Sequence, residues 1–455
     1  MIDWGRAGAL LASIDSKADA VATHAAGVVA TSPRFQNKDF PLSPLPLAVA
    51  ASKVEEHRRT AERYMALLER VLDLYAASAD VRSYFALTED EENLARVPAT
   101  LTPSVRISRL DGYLKQMDGR ICFLENNTDC PAGILFTERL NLMLDRIIKD
   151  VNPRIASELV ELPLDQTDCA RQELLAAYRQ QGGDKDDPVI AILQISGRSN
   201  VESVEMAEEF STRGTPAFVA DPREVAVSAS GVEVGGRQAD IIWNKVNTVY
   251  WNKLVAESPG LLKRWLEAVT SGRVCHINPF SARYVTESKS CAAFLQEAEF
   301  ADRFDHEDRE FLRSVLPWSR KVKTGKVVEY GDEDIEITEL LLSRQADFVI
   351  KEPYDIRGDG VTIGRGVPRD YWVEKVKLAA RKGYTAQEFI TGQAYPVLLD
   401  TAQREVALLT ASLDSFMFGG RLCGLGSKAG LGYKVNVFQG GRKLAVRVYD
   451  SSKKR

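Results

Sequence analysis

Between Val189 and Trp243 the chain switches between buried-strand and helix patterns at short spacing. Val189-Ile-Ala-Ile-Leu-Gln-Ile is a continuous apolar run, the pattern of a strand covered on both faces. Ser203 to Thr212 is amphipathic with helical spacing, Gly214 ends it, Pro216-Ala-Phe-Val-Ala supplies a second strand and Asp240-Ile-Ile-Trp a third. Strand, helix, strand at this spacing predicts a small doubly wound α/β unit. The polar, glycine-containing stretch Gln180-Gln-Gly-Gly-Asp-Lys-Asp-Asp-Pro188 marks a domain boundary before it.

Residues 1–100 read mainly as helix. The best case runs from Val54 to Ala77, where Tyr64, Leu67, Leu68, Val71, Leu72 and Tyr75 recur at helical spacing. Near residue 100 the texture changes. Val105-Arg-Ile-Ser-Arg-Leu-Asp111 alternates, Asp118-Gly119 makes a turn, and Arg120-Ile-Cys-Phe-Leu-Glu125 alternates again, which predicts a β-hairpin. Thr137 to Asp150 reads as helix. Later, Ala346 to Lys351 and Tyr384 to Ile390 read as strands and Glu374 to Arg381 as helix. The glycine-dense stretch Gly419 to Gly441 reads as antiparallel strands joined by tight turns.

A chain of 455 residues should hold two or three structural units. With 59 basic and 64 acidic side chains it has no global pull toward nucleic acid or an anionic membrane. The six cysteines form no CxxC pair and the four histidines no HExxH pattern, which excludes the usual zinc sites. Neither a leader-like start nor an 18-residue apolar window is present, so a soluble cytoplasmic protein is expected.

Chemistry concentrates in two places. In Arg109-Leu-Asp111 and Glu125-Asn-Asn127-Thr-Asp-Cys130-Pro-Ala-Gly133 the hairpin brings Asp111 and Glu125 to neighbouring strands, and Asn127 shares a face with Glu125. Two carboxylates and an amide oxygen are hard ligands that suit Mg²⁺, and Arg109 beside them suits a phosphoryl group. On residues alone, a polar hairpin with an Arg–Asp pair and an Asx turn fits equally well. In Phe348-Val-Ile-Lys351 followed by Arg357-Gly358-Asp359-Gly360, an apolar strand runs through a lysine into a glycine loop of the kind that admits phosphate oxygens to backbone N–H groups. Most Gly-Asp-Gly triplets are plain turns. Lys289, at a helix start, and Gln387-Glu388, ending a strand, carry little meaning alone.

Together these pieces resemble the circularly permuted ATP-grasp ligases, of which the glutathionylspermidine synthetase type is the nearest. In that family an Arg-x-Asp is followed by Glu-x-Asn-x-Asp-x-Pro, and the lysine strands come later; here the hairpin precedes Lys351 by more than 200 residues. The resemblance implies an α/β (α+β) ATP-grasp fold with an N-terminal helical region (1–100), a metal-binding hairpin with helices (101–185), a Rossmann-like pre-ATP-grasp unit (186–280) and ATP-binding lobes (281–455). It implies ATP and Mg²⁺ as cofactors. Asp111, Glu125 and Asn127 would hold the metal, and Arg109 would steady the transferred phosphoryl. Lys289 and Lys351 would contact phosphates, Arg357, Gly358 and Gly360 would cover them, and Gln387 and Glu388 would meet adenine and ribose. The reaction implied is amide-bond formation between small-molecule carboxylate and amine substrates through an acyl phosphate. Neither nucleic acid nor membrane is expected as a partner, and a homo-oligomer is compatible. The loop departs from the family, with Glu352 between Lys351 and Pro353, and no amidase element is present. A non-catalytic nucleotide-binding protein and a Rossmann-type nucleotide-sugar transferase are the rival readings; the latter lacks a GxGxxG after Val189–Ile195. Gly419–Arg421 and Lys428 could face a substrate, although solvated hairpin charges fit as well; Trp243, Asn244, Tyr250 and Trp251 could flank a cleft or fill a core.

Overall fold

A computed structural model describes the chain except for residues 32–40, 161–165, 198–200, 357, 401–403, 436, 438–440 and 451–455. Its centre is a seven-stranded sheet. The order is Leu47–Ala50, Arg442–Tyr449, Arg421–Gly430, Glu405–Phe418, Ile107–Leu114 and Ile121–Asn127, with Ala394–Asp400 also paired to Glu405–Phe418. The first pairing is parallel and the others antiparallel. Ile107–Leu114 and Ile121–Asn127 are the expected hairpin, and Gly419-Gly420, both at positive φ, turn the chain between the two longest strands.

The expected helix over Val54–Ala77 forms over Ala51–Ala77 and covers one face of this sheet. Tyr64 stacks on Phe123 at 5.0 Å, and His57 is hydrogen-bonded to Ser415 at 2.8 Å. The Ile134–Val151 helix packs across the other face, with the Thr137 Oγ1 3.4 Å from the point where a Cβ on Gly426 would lie.

The doubly wound unit is a four-stranded parallel sheet, Cys275–Ile277, Ile241–Asn244, Ile190–Leu193 and Ala217–Ala220 in that order. Trp243 and Trp251 are fully buried and serve as core packing. The unit is locked to the hairpin's exit by Glu202. This buried carboxylate accepts from the N–H of Gly133 and Leu135 at the start of the Ile134–Val151 helix and pairs with the Lys245 ammonium at 3.1 Å.

A third sheet, antiparallel, runs Ser319–Lys321, Thr385–Glu388, Phe348–Lys351 and Val361–Ile363. Phe348, Ile350 and Ala386 pack against Leu340, Leu341, Trp372 and Val376 of the Ile337–Ser343 and Arg369–Lys382 helices. That leaves Val349, Lys351, Thr385 and Gln387 on the opposite face. Among the described residues no helix is long and apolar enough to cross a membrane.

Candidate functional site

The hairpin register places Asp111 directly opposite Glu125 and Arg109 opposite Asn127. On its other side Asp111 is paired with Asp414 of the Glu405–Phe418 strand. Three carboxylates therefore stand in a row across three adjacent strands. Each has a different surrounding. Asp111 is held by Arg109 (Nη2 to Oδ2, 3.0 Å), Lys428 (2.6 Å) and the Asn127 amide (3.2 Å). Burial opposes its ionisation, but Arg109 and Lys428 outweigh burial and hold the carboxyl below its ordinary range. Glu125 also stays below its ordinary range against the effect of burial, because Lys289 stands 2.8 Å away. Asp414 is wholly buried; burial and the neighbouring Asp111 raise its pKa.

The small sheet supplies the second wall. Lys289, immediately before the Ser290–Phe294 helix, reaches Glu125 and lies 3.6 Å from Asp355. Lys351 donates from Nζ to the Leu124 carbonyl at 2.9 Å, and burial pulls its pKa down to about 8. Gln387 is buried on the same face as Lys351 and donates to Ser319 Oγ at 3.2 Å. Glu125, Lys289, Lys351 and Gln387, with Tyr64, Phe123 and Ser288, line a chamber of about 10 Å³ between hairpin and small sheet.

Of the residues singled out in the sequence, Arg109, Asp111, Glu125, Asn127, Lys289, Lys351 and Gln387 converge on this junction. Glu388 does not share the face of Gln387: strand alternation sends it to the other side, where Tyr330 hydrogen-bonds its carboxylate. Gly358, at φ +76°, and Gly360 lie in the turn after Lys351. The Gly358 carbonyl accepts from Lys434 Nζ at 2.8 Å, and a Cβ on Gly360 would come within 2.7 Å of the Asp355 Cβ. Arg357 lies outside the described residues. Cys130 is held as a thiol by burial, which raises its pKa well above the ordinary value and gives no nucleophile.

Two acids escaped the sequence reading. Asp355 pairs with Lys289 and keeps one buried oxygen, Oδ2, without a hydrogen-bond partner. Asp414 has both oxygens in that condition. Its signal was present: an aspartate inside the apolar run Leu413-Asp414-Ser415-Phe416-Met417-Phe418.

As donors for a divalent cation, the residues fit in kind. Asp111, Glu125 and Asn127 offer hard oxygens on adjacent strands, and Asp355, beside Lys289, offers an orphaned oxygen. Among the described residues, however, no three acidic, imidazole or thiol groups stand close enough to form a metal cluster, and the protein's own lysines hold these carboxylates.

No protein-family model and no curated protein sequence matches the chain. Solved structures do. A glutathione synthetase-like effector from Globodera pallida, in its apo form, superposes with a TM-score of 0.61 at 13% identity, covering 97% of each chain. The fold is ATP-grasp-like. Two further solved structures align with this chain less closely. A protein assigned as a gamma-glutamylcysteine synthetase from Methylobacillus flagellatus gives a TM-score of 0.39 at 12% identity, over 81% of this chain and 82% of that one. A RimK-domain ATP-grasp protein from Sphaerobacter thermophilus gives 0.27 at 13% identity, over 57% and 90%.

Proposed function

We propose that this protein is an ATP-dependent carboxylate–amine ligase that works at the junction of hairpin and small sheet. The observation that carries the reading is the meeting of Lys289 and Lys351 with Glu125, the neighbour of Asp111, around a buried chamber. A structural core has little use for so many buried charges, since desolvation makes each of them costly. The chain order, hairpin first and lysine strands later, supports a permuted ATP-grasp arrangement.

Bound ATP would supply the phosphoryl group that activates a carboxylate as an acyl phosphate, and a divalent cation held by Asp111, Glu125 and Asn127 would offset charge on the phosphates. The chain's own part is positioning and electrostatics, the main contributions an enzyme makes to phosphoryl transfer. Arg109, fixed by Asp111 and by the Ala132 carbonyl, presents its guanidinium to the reacting carboxylate. Lys289 and Lys351 hold phosphate oxygens. Gln387 faces the base. The buried walls around Tyr64 and Phe123 keep water from an activated acyl group. A chamber of about 10 Å³ admits no nucleotide, so binding requires Lys351 to release Leu124 and the small sheet to swing from the hairpin. The substrates are a small carboxylic acid and an amine, with no nucleic-acid or membrane partner, and we place the reaction in the cytoplasm.

Thermal shift with Mg²⁺–ATP tests this. A ligand at about 100 times its Kd stabilises the native state by ~2.7 kcal/mol. The expected result is a magnesium-dependent rise in melting temperature that weakens in Lys351→Ala and in Glu125→Gln. No shift at any nucleotide concentration would remove the basis of the ligase reading.

A further inference from the structure

Cys423 is the extra residue of a β-bulge. Phe416 stands opposite Gly424 and Met417 opposite Leu422, which leaves Cys423 outside the ladder of the two longest strands. A bulge re-aims the side chain it carries. Beside this one lies the Gln166–Gln180 helix. Two glycines let the helix come close. A Cβ on Gly424 would fall 2.2 Å from the Gln166 amide nitrogen, and a Cβ on Gly419 would fall 2.8 Å from the Glu173 carboxylate. Gln166 and Glu173 share one side of the helix, two turns apart, and Cys169 lies between them on that side. Gln166 thus meets the residue after Cys423, Glu173 meets the turn before it, and Cys169 stands over the bulge. Both cysteines pack against the same apolar cluster. The Cys169 thiol also bears on its neighbour: with burial as the larger cause, it helps push the Cys423 pKa up to about 11. Each is half-buried, which leaves an approach for a small reagent, whereas Cys122, Cys275 and Cys291 are buried.

We propose that Cys169 and Cys423 are a reversible disulfide site, oxidised by small disulfides, that staples the Gln166–Gln180 helix to the bulge. Cys169 reacts first: its thiolate attacks one sulfur of the reagent, the reagent's S–S bond breaks, and one small thiolate leaves. Cys423, which burial holds as a thiol, gives its proton to the medium and displaces the second small thiolate as the new S–S bond forms. The two cysteine sulfurs are oxidised and the reagent is reduced to two thiols. The Cys423 step is slow at neutral pH, because only the thiolate attacks. The staple fixes the ladder beside Phe416, whose other neighbour in register is Arg109. The inference does not depend on the ligase reading.

The test equilibrates the folded full chain with bis(2-hydroxyethyl) disulfide at mildly alkaline pH, alkylates the remaining thiols and maps the digest by mass spectrometry. The expected product is lighter by two hydrogens, yields one linked peptide pair holding Cys169 and Cys423, and reverts with dithiothreitol. The linked form should melt at least ~5 °C above the reduced one, because the staple closes a very long loop of the unfolded chain. Cys169→Ser and Cys423→Ser should each stop at a mixed disulfide and gain no such rise; if either fails to fold, the wild-type peptide map decides alone. Separate alkylation of both cysteines in the wild type, a wild type that stops at the mixed disulfide, or a link through any other cysteine would overturn the proposal. So would a linked form that melts no higher than the reduced one, since joining the sulfurs would then distort the fold they are meant to hold.

Discussion

Asp111 and Glu125 face each other in register across the hairpin, yet each is neutralised from a different part of the chain, Asp111 by Lys428 on the same sheet and Glu125 by Lys289 from beside the small sheet. The two carboxylates thus draw their main counter-charges from different parts of the chain, while Asp111 still bears on Glu125 and Glu125 on Arg109. A change at Glu125 disturbs the phosphate side, and a change at Arg109 or Lys428 disturbs the carboxylate side.

Glu125→Gln and Arg109→Ala should each lower kcat by more than ~100-fold while the protein stays folded, since removing one such charge typically raises the barrier by ~3 kcal/mol or more. ADP release with a responsive carboxylate and amine, read beside circular dichroism, checks this. Near-native rates in both variants would assign the hairpin a structural role only.

Glu202→Ala should be strongly destabilising without touching the chamber. It uncaps the Ile134–Val151 helix and strands Lys245, whose side chain is 1% exposed. Breaking one partner of a buried pair costs about 3–5 kcal/mol. Urea denaturation should show this as a large drop in midpoint, and adding Lys245→Met to Glu202→Ala should recover part of it. A midpoint within error of wild type would show that the cap and pair contribute nothing.

Acid should destabilise the fold through two buried histidines. Burial lowers His57 from its ordinary value of 6.5 to about 4 and His276 to about 3. The unfolded chain binds these protons first, so their contribution to stability is complete above pH 6.5 and is lost as pH falls through the folded values. Melting temperature should decline from pH 6.5 toward 4, and His57→Gln, which can keep a hydrogen bond to Ser415, should flatten that decline. An unchanged slope would exclude His57 as a contributor.

Gly364→Ala should unfold or misplace the edge of the small sheet. A Cβ there would sit 1.8 Å from the Gln345 carbonyl oxygen, a clash that only backbone movement relieves. The variant should lose both thermal stability and the Mg²⁺–ATP shift, whereas Gly197→Ala, in an open turn at φ +79°, should lose only backbone stability.

The hairpin was readable because its signal is local: two alternating runs and a turn place Asp111 and Glu125 on neighbouring strands. The Ala51–Ala77 helix was readable for the same reason. The direct pairing of Asp111 to Glu125 was not, because it depends on a register shift between Asp111 and Gly112 that skips Leu124. Lys289 and Lys351 were found by resemblance, since neither lies near the hairpin in sequence. Asp414 and Asp355 were not found, because their meaning depends on which distant strand or loop lies beside them. The opposite orientations of Gln387 and Glu388 follow from strand period alone and were legible from the start. The parallel pairing of Leu47–Ala50 to Arg442–Tyr449 had no local trace at all.

That pairing dictates when the molecule can finish folding. Leu47–Ala50 must wait for Arg442–Tyr449, made several hundred residues later, and the Pro41 carbonyl and Ser43 N–H are satisfied by the backbone of Lys443. A nascent chain therefore carries an open edge of its seven-stranded sheet until Arg442–Tyr449 has been made, and contacts this distant in sequence form slowly. Ribosome-bound intermediates lacking that strand are the forms most exposed to aggregation, and its loss would injure the sheet at Leu47–Ala50.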